Sequence, residues 1–292
     1  MAFLRCVWAE KGVFQPIYFS FVSSFRFKQF AVRQDATPMK VGTDGVLLGA
    51  WASVRPSDRR ELDIGTGTGL IALMLAQRAA QAEVVAVDVE DVAEARANAA
   101  ASPWADRIRV EQVAVQRFEP GVRFDLVVSN PPFFVDSLTC PDTRRTTARH
   151  AVRLSFEELR DAAVRLLAPG GRFAVVLPIE AALRFIGLCC GPLRLVRRTD
   201  VRTTPRRPAK RVLLEFEAPK TLEHSESPES PEMLDSLDAV ESIPIFASGR
   251  PIMLSECSAA FPVVSELVIG TGEHECYTPE YRALTRDFYL KF

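Results

Sequence analysis

The sequence predicts an α/β fold: a mixed seven-stranded sheet with helices on both faces. Between residues 60 and 217, short β-rich runs alternate with helical patterns, which is typical of βαβ units around a mainly parallel sheet. A glycine-rich segment joins the first of these strands to the first helix. The last two β-rich runs, 193–201 and 211–217, are joined by an Arg- and Pro-rich loop, which favours an antiparallel pair at the sheet edge.

Each element of this fold has its own signal. Five further strands are predicted at 61–64, 83–89, 108–113, 124–129 and 172–177. Helices are predicted at 70–80, 91–101, 155–167 and 180–190. Ser155 and Glu158 have the spacing of a capping box at the start of the third helix, and Pro169-Gly170-Gly171 is expected to end it.

The composition is that of an ordinary globular protein and excludes disorder as the overall state. The 292 residues are 48% hydrophobic and 25% charged, enough for one large domain or two small ones. The formal net charge of −1 offers no bulk attraction to nucleic acid. The charge is uneven, however, because residues 217–275 contain 12 acidic and two basic residues, which leaves the rest of the chain basic.

Four regions are expected along the chain. Residues 1–24 form a poorly defined extension, and no run in it reaches the roughly 18 apolar residues that a membrane span needs. Residues 25–217 form the catalytic domain, residues 218–261 a disordered acidic insertion rich in Ser, Glu and Pro, and residues 262–292 a segment that packs back on the domain. Six cysteines without CxxC spacing predict neither a metal site nor a disulfide framework, and favour a cytoplasmic location.

The segment after the first strand predicts a nucleoside site. Gly65, Gly67 and Gly69 let backbone N–H groups approach a ligand at the N-terminus of a helix. Asp88 ends the next strand, where a carboxylate can accept hydrogen bonds from both hydroxyls of a ribose. Asp63, just before the loop, suits a ligand with an ammonium group and no phosphates. These features together point to S-adenosylmethionine.

Asn130-Pro131-Pro132-Phe133 follows the fourth strand and faces the same crevice. The amide oxygen of Asn130 and the carbonyl of Pro131 can accept the two N–H bonds of a planar amino group, and they bind it more strongly as its nitrogen becomes positively charged. The prolines set the direction of the carbonyl, and Phe133 offers a face for stacking a base. The pattern predicts methyl transfer to an amino nitrogen, with in-line placement as the main requirement.

A basic run between residues 194 and 211 is expected to contact RNA phosphates, which would make binding salt-dependent. Its eight basic residues are Arg194, Arg197, Arg198, Arg202, Arg206, Arg207, Lys210 and Arg211. A base that reaches the pocket beside this run must be splayed out of its stack, as is easiest in a single-stranded loop such as an anticodon arm.

The segments 63–69 and 130–133, together with Asp88, resemble the class I S-adenosylmethionine-dependent methyltransferases that act on amino nitrogens. Proteins of that class have a Rossmann-like fold. A narrower resemblance comes from the Phe27-Lys28-Gln29-Phe30 motif, the run 39–51 and the aromatic run 277–292. These are similar to the tRNA adenine-N6 methyltransferases that modify the adenosine 3′ of the anticodon in a valine tRNA. The resemblance, over residues 25–217 and 268–292, implies that Lys40, Thr43 and Asp44 cap the methionine end of the cofactor pocket.

The sequence departs from that family at three places, and the first of them concerns the acceptor base. Phe133 stands where the family more often has tyrosine, and phenylalanine is also frequent in guanine-N2 methyltransferases. Ala114 stands where relatives often carry an acid toward the adenine of the cofactor, and the acidic insertion is generally lacking. The alternatives to adenine methylation in tRNA are transfer to a guanine amino group, transfer to a protein glutamine, or a noncatalytic RNA-binding module that keeps the fold.

Overall fold

The computed structural model describes residues 24–37, 40–132, 154–220, 245–247, 250–252 and 261–291. Strands and helices are numbered here in chain order. The strands are β1 Ser24–Arg26, β2 Ala31–Arg33, β3 Arg60–Ile64, β4 Glu83–Asp88, β5 Ile108–Gln112, β6 Phe124–Ser129, β7 Leu167–Pro178, β8 Arg194–Arg202, β9 Arg211–Glu217, β10 Ile245–Ala247, β11 Arg250–Ile252 and β12 Val263–Val268. The α-helices are α1 Thr43–Trp51, α2 Leu70–Arg78, α3 Ala93–Ala100, α4 Phe156–Leu166, α5 Ala182–Cys189 and α6 Pro279–Thr285.

Eight strands form the central sheet, in the order β12-β8-β9-β7-β6-β3-β4-β5. The five strands from β5 to β7 in this order are parallel to one another, and β9 is antiparallel to both β7 and β8. All seven predicted strands are present. The structure adds β12, which runs parallel to β8 and supplies partners for backbone groups that β8 would otherwise leave open at an edge.

Helices cover both faces of the sheet, as expected. On one face α1, α2 and α6 pack on buried residues of β4 and β6 such as Val84 and Leu126. On the other face α4 and α5 pack on residues such as Leu62 and Phe173. Because both faces of the parallel strands are buried, these strands are apolar along most of their length, the pattern by which the sequence predicts them.

The predicted capping box begins α4. The Ser155 hydroxyl accepts a hydrogen bond from the Glu158 N–H, and the Glu158 carboxylate accepts one from the Ser155 N–H. The helix ends at Leu166, one residue before the predicted end, but Pro169-Gly170-Gly171 does not end it, because Leu167 already has extended backbone and β7 starts there. Gly171 therefore lies within β7, where an added Cβ would meet the Phe124 carbonyl at 2.9 Å.

The two ends of the described chain pack together on the domain. Phe27 stacks on Tyr289 with ring centroids 5.9 Å apart, and the Lys28 N–H donates to the Phe288 carbonyl. Phe288 and Tyr281 are buried. The aromatic run at the C-terminus thus contributes Phe288 to a cluster with Leu70 and Leu73 of α2. Residues 1–23 and most of the acidic insertion lie outside the described residues.

The strands begin and end along two opposite sides of the sheet, which differ from the outermost strands. We term the side at which β3, β4 and β6 end the carboxyl edge, and the side at which they begin the opposite edge. The turn 203–210 lies at the carboxyl edge, because Arg211 at the start of β9 pairs with Pro178 at the end of β7. The acidic insertion joins the domain at the opposite edge, where β9 ends and β12 begins.

Candidate active site

The glycine loop, residues 65–69, joins β3 to α2 at the carboxyl edge. Gly65, Gly67 and Gly69 have φ angles of 73°, 54° and 83°, which residues with a side chain rarely adopt. The N–H groups of Gly65 and Thr66 donate to the Val87 carbonyl at 2.9 and 3.1 Å, which fastens the loop to β4. Since Gly69 is the N-cap of α2, the loop presents a helix N-terminus at this edge.

Asp63 lies beneath the glycine loop and is fully buried. Its Oδ2 atom accepts hydrogen bonds from the Thr66 hydroxyl at 2.6 Å and the Ala72 N–H at 3.2 Å. Its Oδ1 atom is buried without a hydrogen-bond partner among the described residues. Burial raises the pKa of Asp63 to about 7, against the hydrogen bonds that lower it. A positively charged group bound over the loop would favour the ionised form of this carboxylate.

Asp88 ends β4 and directs its carboxylate to the same edge. Its Oδ2 atom accepts the Gly67 N–H at 2.9 Å, and its Oδ1 atom accepts the Glu90 N–H at 3.0 Å. The side chain is half-buried, and a carboxylate has about four lone-pair positions, so each oxygen can accept a further hydrogen bond. A pair of vicinal hydroxyls fits that capacity.

Asn130 follows β6 beside the glycine loop. Ser129 pairs with Ile64 in the sheet, so Asn130 and Gly65 continue from adjacent strands at one level. The Nδ2 atom of Asn130 lies 4.0 Å from the position that a Cβ on Gly45 would take, in the first turn of α1. The structure thus brings the Asn130 tip, the glycine loop and α1 together at one edge.

The two prolines after Asn130 differ in their surroundings. Pro131 is buried and Pro132 is exposed. Phe133, the aromatic residue expected to stack the base, lies outside the described residues. The prediction that it stacks a base is therefore not tested.

Comparisons with known proteins agree with this geometry. The model of the methyltransferase small domain matches residues 44–184. A protein of Phocaeicola vulgatus named tRNA1(Val) (adenine(37)-N6)-methyltransferase is 42% identical over 268 residues, which span 91% of this chain and 97% of the relative. The chain belongs to the tRNA1(Val) (adenine(37)-N6)-methyltransferase family. A protein of the same name from Bacteroides fragilis is 48% identical over 276 residues, 91% of this chain and 98% of the relative.

A solved structure confirms the expected fold of this family member. A predicted O-methyltransferase from Agrobacterium tumefaciens superposes with a TM-score of 0.56, over 84% of this chain and 96% of that chain. At 17% identity the likeness concerns the fold alone. Together with the sheet order, it confirms a Rossmann-like class I methyltransferase fold.

The residues expected to cap the methionine end surround the start of α1. Thr43 is exposed and Asp44 half-buried, and the Asp44 carboxylate accepts a hydrogen bond from Arg211 Nε at 2.8 Å. Lys40 is exposed, and its ammonium donates to the Gln34 carbonyl. Asp44 is thus held by a residue that the sequence assigned to RNA binding.

The basic run divides into two groups in the structure. Five of its members form ion pairs within the fold, and their partners are Glu217 for Arg194, Glu215 for Arg197, Asp200 for Arg198, Glu266 for Arg202 and Asp44 for Arg211. Arg206, Arg207 and Lys210 are exposed in the turn 203–210, and none forms an ion pair with another described residue. Within the basic run, the exposed side chains that form no ion pair with a described residue are therefore those of this turn.

Sequence reasoning missed a buried asparagine near the loop. Asn98 on α3 is 1% exposed, accepts the Arg33 N–H, and donates to the carbonyls of Arg33 and Thr68. It therefore ties β2 to the glycine loop. A single asparagine in an otherwise alanine-rich helix is the signal that could have identified it.

The described residues contain neither a cluster suited to a metal ion nor a helix suited to span a membrane. No group of His, Cys, Asp or Glu side chains in the described ranges is arranged to hold a metal ion. None of the helices that the structure describes combines the length and the apolar character of a membrane span.

Proposed function

We propose that this protein transfers a methyl group from S-adenosylmethionine to N6 of an adenine in tRNA, the adenosine 3′ of the anticodon of a valine tRNA. Its family membership supports the reaction and the acceptor. The observation that carries the proposal is the position of Asn130, one residue beyond β6 and level with the start of the glycine loop. A tRNA substrate also favours the cytoplasmic location that the cysteine pattern predicts.

The residues of the carboxyl edge fit the cofactor. When bound, S-adenosylmethionine supplies a methyl carbon attached to a positively charged sulfur. The glycine loop, which has no side chain at Gly65, Gly67 or Gly69, would let the cofactor lie close to the backbone, and Asp88 would accept hydrogen bonds from its ribose hydroxyls. Asp63 favours the methionine ammonium through its charge and through Thr66, because its carboxylate is too deeply buried for direct contact. The unpartnered Oδ1 atom supports this assignment, because a buried carboxylate oxygen without a partner is costly unless a charge compensates it.

Asn130 and Pro131 act on the acceptor nitrogen. The lone pair of an exocyclic amine is delocalised into the purine ring, so the nitrogen is a weak nucleophile. Two fixed oxygen acceptors hold its N–H bonds and become stronger partners as the nitrogen gains positive charge, which lowers the barrier without a strong base. Once the nitrogen is methylated it is acidic, and its proton leaves to water.

The turn 203–210 places positive charge at the same edge as Asn130. Arg206, Arg207 and Lys210 are exposed there, whereas the other five basic residues of the run are engaged in ion pairs. We assign the phosphate contacts to these three residues. This proposal reduces the RNA interface predicted from the sequence from eight basic residues to three.

The experiment that tests the function uses Asn130→Ala with unmodified tRNA and labelled S-adenosylmethionine. We expect kcat to fall by about 100-fold or more, in the range seen when one preorganised group that stabilises transition-state charge is removed, with cofactor affinity nearly unchanged. Gln81→Ala, an exposed amide at the opposite edge, is the matched control and should keep full activity.

Nucleoside mass analysis of the wild-type product identifies the acceptor. N6-methyladenosine at the position 3′ of the valine anticodon is the expected product. N2-methylguanosine, or label in protein glutamine, would select one of the alternatives instead. An Asn130→Ala variant with full activity would refute the assigned role of the Asn130 tip.

A further inference from the structure

Residues 33–37 begin at the last residue of β2 and lie against the glycine loop; we term them the strap. The Cγ2 atom of Thr37 is 3.7 Å from the position that a Cβ on Gly67 would occupy. The N–H of Gly67 donates to Asp88, the carboxylate assigned to the ribose. The strap therefore borders the loop at the ribose end of the site.

Helix α3 holds the strap with two side chains from one face. Glu94 and Asn98 are four residues apart, which places them side by side on a helix. Asn98 exchanges hydrogen bonds with both backbone groups of Arg33, at 2.8 and 2.9 Å, and donates to the Thr68 carbonyl at 2.8 Å. One amide thus joins the start of the strap to the glycine loop.

Glu94 binds the other end of the strap. Its Oε1 atom accepts the N–H groups of Asp35 and Ala36, and its Oε2 atom accepts the Thr37 N–H at 2.9 Å and the Thr37 hydroxyl. Burial raises the pKa of Glu94, but the hydrogen bonds from the strap outweigh it and leave the pKa below its ordinary value. The ionised carboxylate therefore binds three successive N–H groups, and hydrogen bonds to a charged acceptor are the stronger kind.

We propose that Glu94 is a positioning residue of the cofactor site, which holds the strap beside the glycine loop so that the ribose end of the pocket is formed before the cofactor binds. The inference rests on the proposed function. Glu94 does not touch the acceptor site at Asn130, so its loss should weaken cofactor binding and leave the transfer step unchanged. Preorganisation of this kind lowers the ordering cost of binding.

Glu94→Gln tests the proposal with little change in side-chain size. The amide NH₂ group cannot accept a hydrogen bond, so at least one strap N–H loses its partner. We expect the Kd for S-adenosylhomocysteine by calorimetry and the KM for S-adenosylmethionine to rise about tenfold, with kcat at saturating cofactor within about twofold of wild type. Thr37→Val, which removes only the hydroxyl bond, should change both constants in the same direction by a smaller factor.

Hydrogen exchange gives a readout that does not depend on activity. In Glu94→Gln the amides of residues 35–37 should exchange faster than in wild type, while those of α3 and β4 are unchanged. Glu280→Gln, an exposed carboxylate in the first turn of α6, is the matched control and should leave both exchange and cofactor affinity unchanged.

Three results would overturn the proposal. The first is a Glu94→Gln protein that binds S-adenosylhomocysteine as tightly as wild type does. The second is a rise in the KM for tRNA alone, which would make the strap part of the RNA surface. The third is a fall in kcat with unchanged cofactor affinity. A wild-type protein that fails to bind S-adenosylhomocysteine would instead refute the proposed function.

Discussion

Two carboxylates on β3, Glu61 and Asp63, are buried on the same strand but serve different ends of the sheet. Asp63 lies under the glycine loop and Glu61 lies near the start of the strand. Burial raises the pKa of both, to about 7 for Asp63 and about 8 for Glu61. A buried carboxylate without full hydrogen bonding reduces the stability of the fold. The burial of Glu61 and of Asp63 therefore needs an explanation. For Asp63, the proposed binding of a positively charged cofactor supplies that explanation.

The pKa of Asp63 predicts pH-dependent cofactor binding. In the free protein the carboxyl holds its proton below about pH 7, whereas a bound ammonium favours the ionised form. Protonation therefore competes with binding, and affinity should fall by up to about tenfold per pH unit below pH 7. Calorimetry with S-adenosylhomocysteine between pH 5.5 and 8, in buffers of different ionisation enthalpy, measures the affinity and the released proton.

Two variants separate Asp63 from its neighbour in this measurement. Asp63→Asn should bind more weakly at pH 8 and lose most of the pH dependence. Asp88→Asn should also bind the cofactor more weakly but keep the pH dependence, because Asp63 is still present. If Asp63→Asn retains the slope of the wild type, another group titrates and the charge role of Asp63 is wrong.

At the scale of elements, α1 is braced at both ends by the arginines of β8 and β9. At its C-terminus, Arg197 stacks on the Trp51 ring at 3.6 Å, donates to the Trp51 carbonyl and pairs with Glu215, which is buried. At its N-terminus, Arg211 binds Asp44. These arginines position the helix that borders Asn130, and their ion pairs are the reason why we assign the phosphate contacts to the turn 203–210 instead.

The turn 203–210 carries the salt-dependent part of tRNA binding in this interpretation. Replacing Arg206, Arg207 and Lys210 with alanine should weaken tRNA binding and reduce the slope of log affinity against log salt by about two to three, since each phosphate contact contributes roughly 0.7–0.9. Cofactor affinity should not change. Filter binding at several salt concentrations measures the slope.

A matched triple variant controls for the loss of three positive charges. Arg59, Arg60 and Lys220 are exposed at the opposite edge of the sheet, so replacing them with alanine lowers the net charge equally. This protein should bind tRNA with a slope near that of wild type. Equal losses in both triple variants would mean that the charge acts through the whole molecule, not through the turn.

These elements also show what the sequence could predict. Strands and helices between residues 60 and 217 were predictable because parallel strands covered on both faces are nearly continuous apolar runs. The same alternation placed Asp63, Asp88 and Asn130 at the ends of neighbouring strands, and the structure brings them to one edge.

What the sequence could not predict depends on which distant elements pack together. Arg211 and Asp44 are 167 residues apart, and nothing local distinguishes an arginine in an ion pair from one that faces solvent. For the same reason the strap contacts of Glu94 were not anticipated. β12 was missed because its partner is β8, more than 60 residues earlier, and four of its six residues are exposed.

Across the whole molecule, the proposed active site and a group of buried charged side chains lie at opposite edges of the sheet. The glycine loop, Asn130 and the basic turn share the carboxyl edge. At the opposite edge Arg172 pairs with Asp58, with 2% and 3% of these side chains exposed. Glu61 lies near this pair, fully buried, and neither of its carboxylate oxygens has a hydrogen-bond partner among the described residues.

Glu61 should make the fold less stable as pH rises. Burial, and then the charge of Asp58, raise its pKa from 4.5 to about 8, so in that range the folded protein holds a proton that the unfolded chain has lost. Stability therefore decreases with pH in this range, by up to about 1.4 kcal/mol per pH unit from this group. Glu61→Gln has no such proton, so its advantage over wild type in urea unfolding should grow from pH 5 to pH 8.

Asp63 does not confound this comparison, because its contribution is the same in both proteins and cancels in the difference. Glu83→Gln, at the exposed start of β4, is the control and should follow the wild type at every pH. Unfolding curves for Glu61→Gln and wild type that stay a constant distance apart from pH 5 to pH 8 would show that Glu61 is already ionised in the folded protein. The positive charges of Arg78 and Arg172, which act to lower the pKa of Glu61, would then outweigh the effect of its burial.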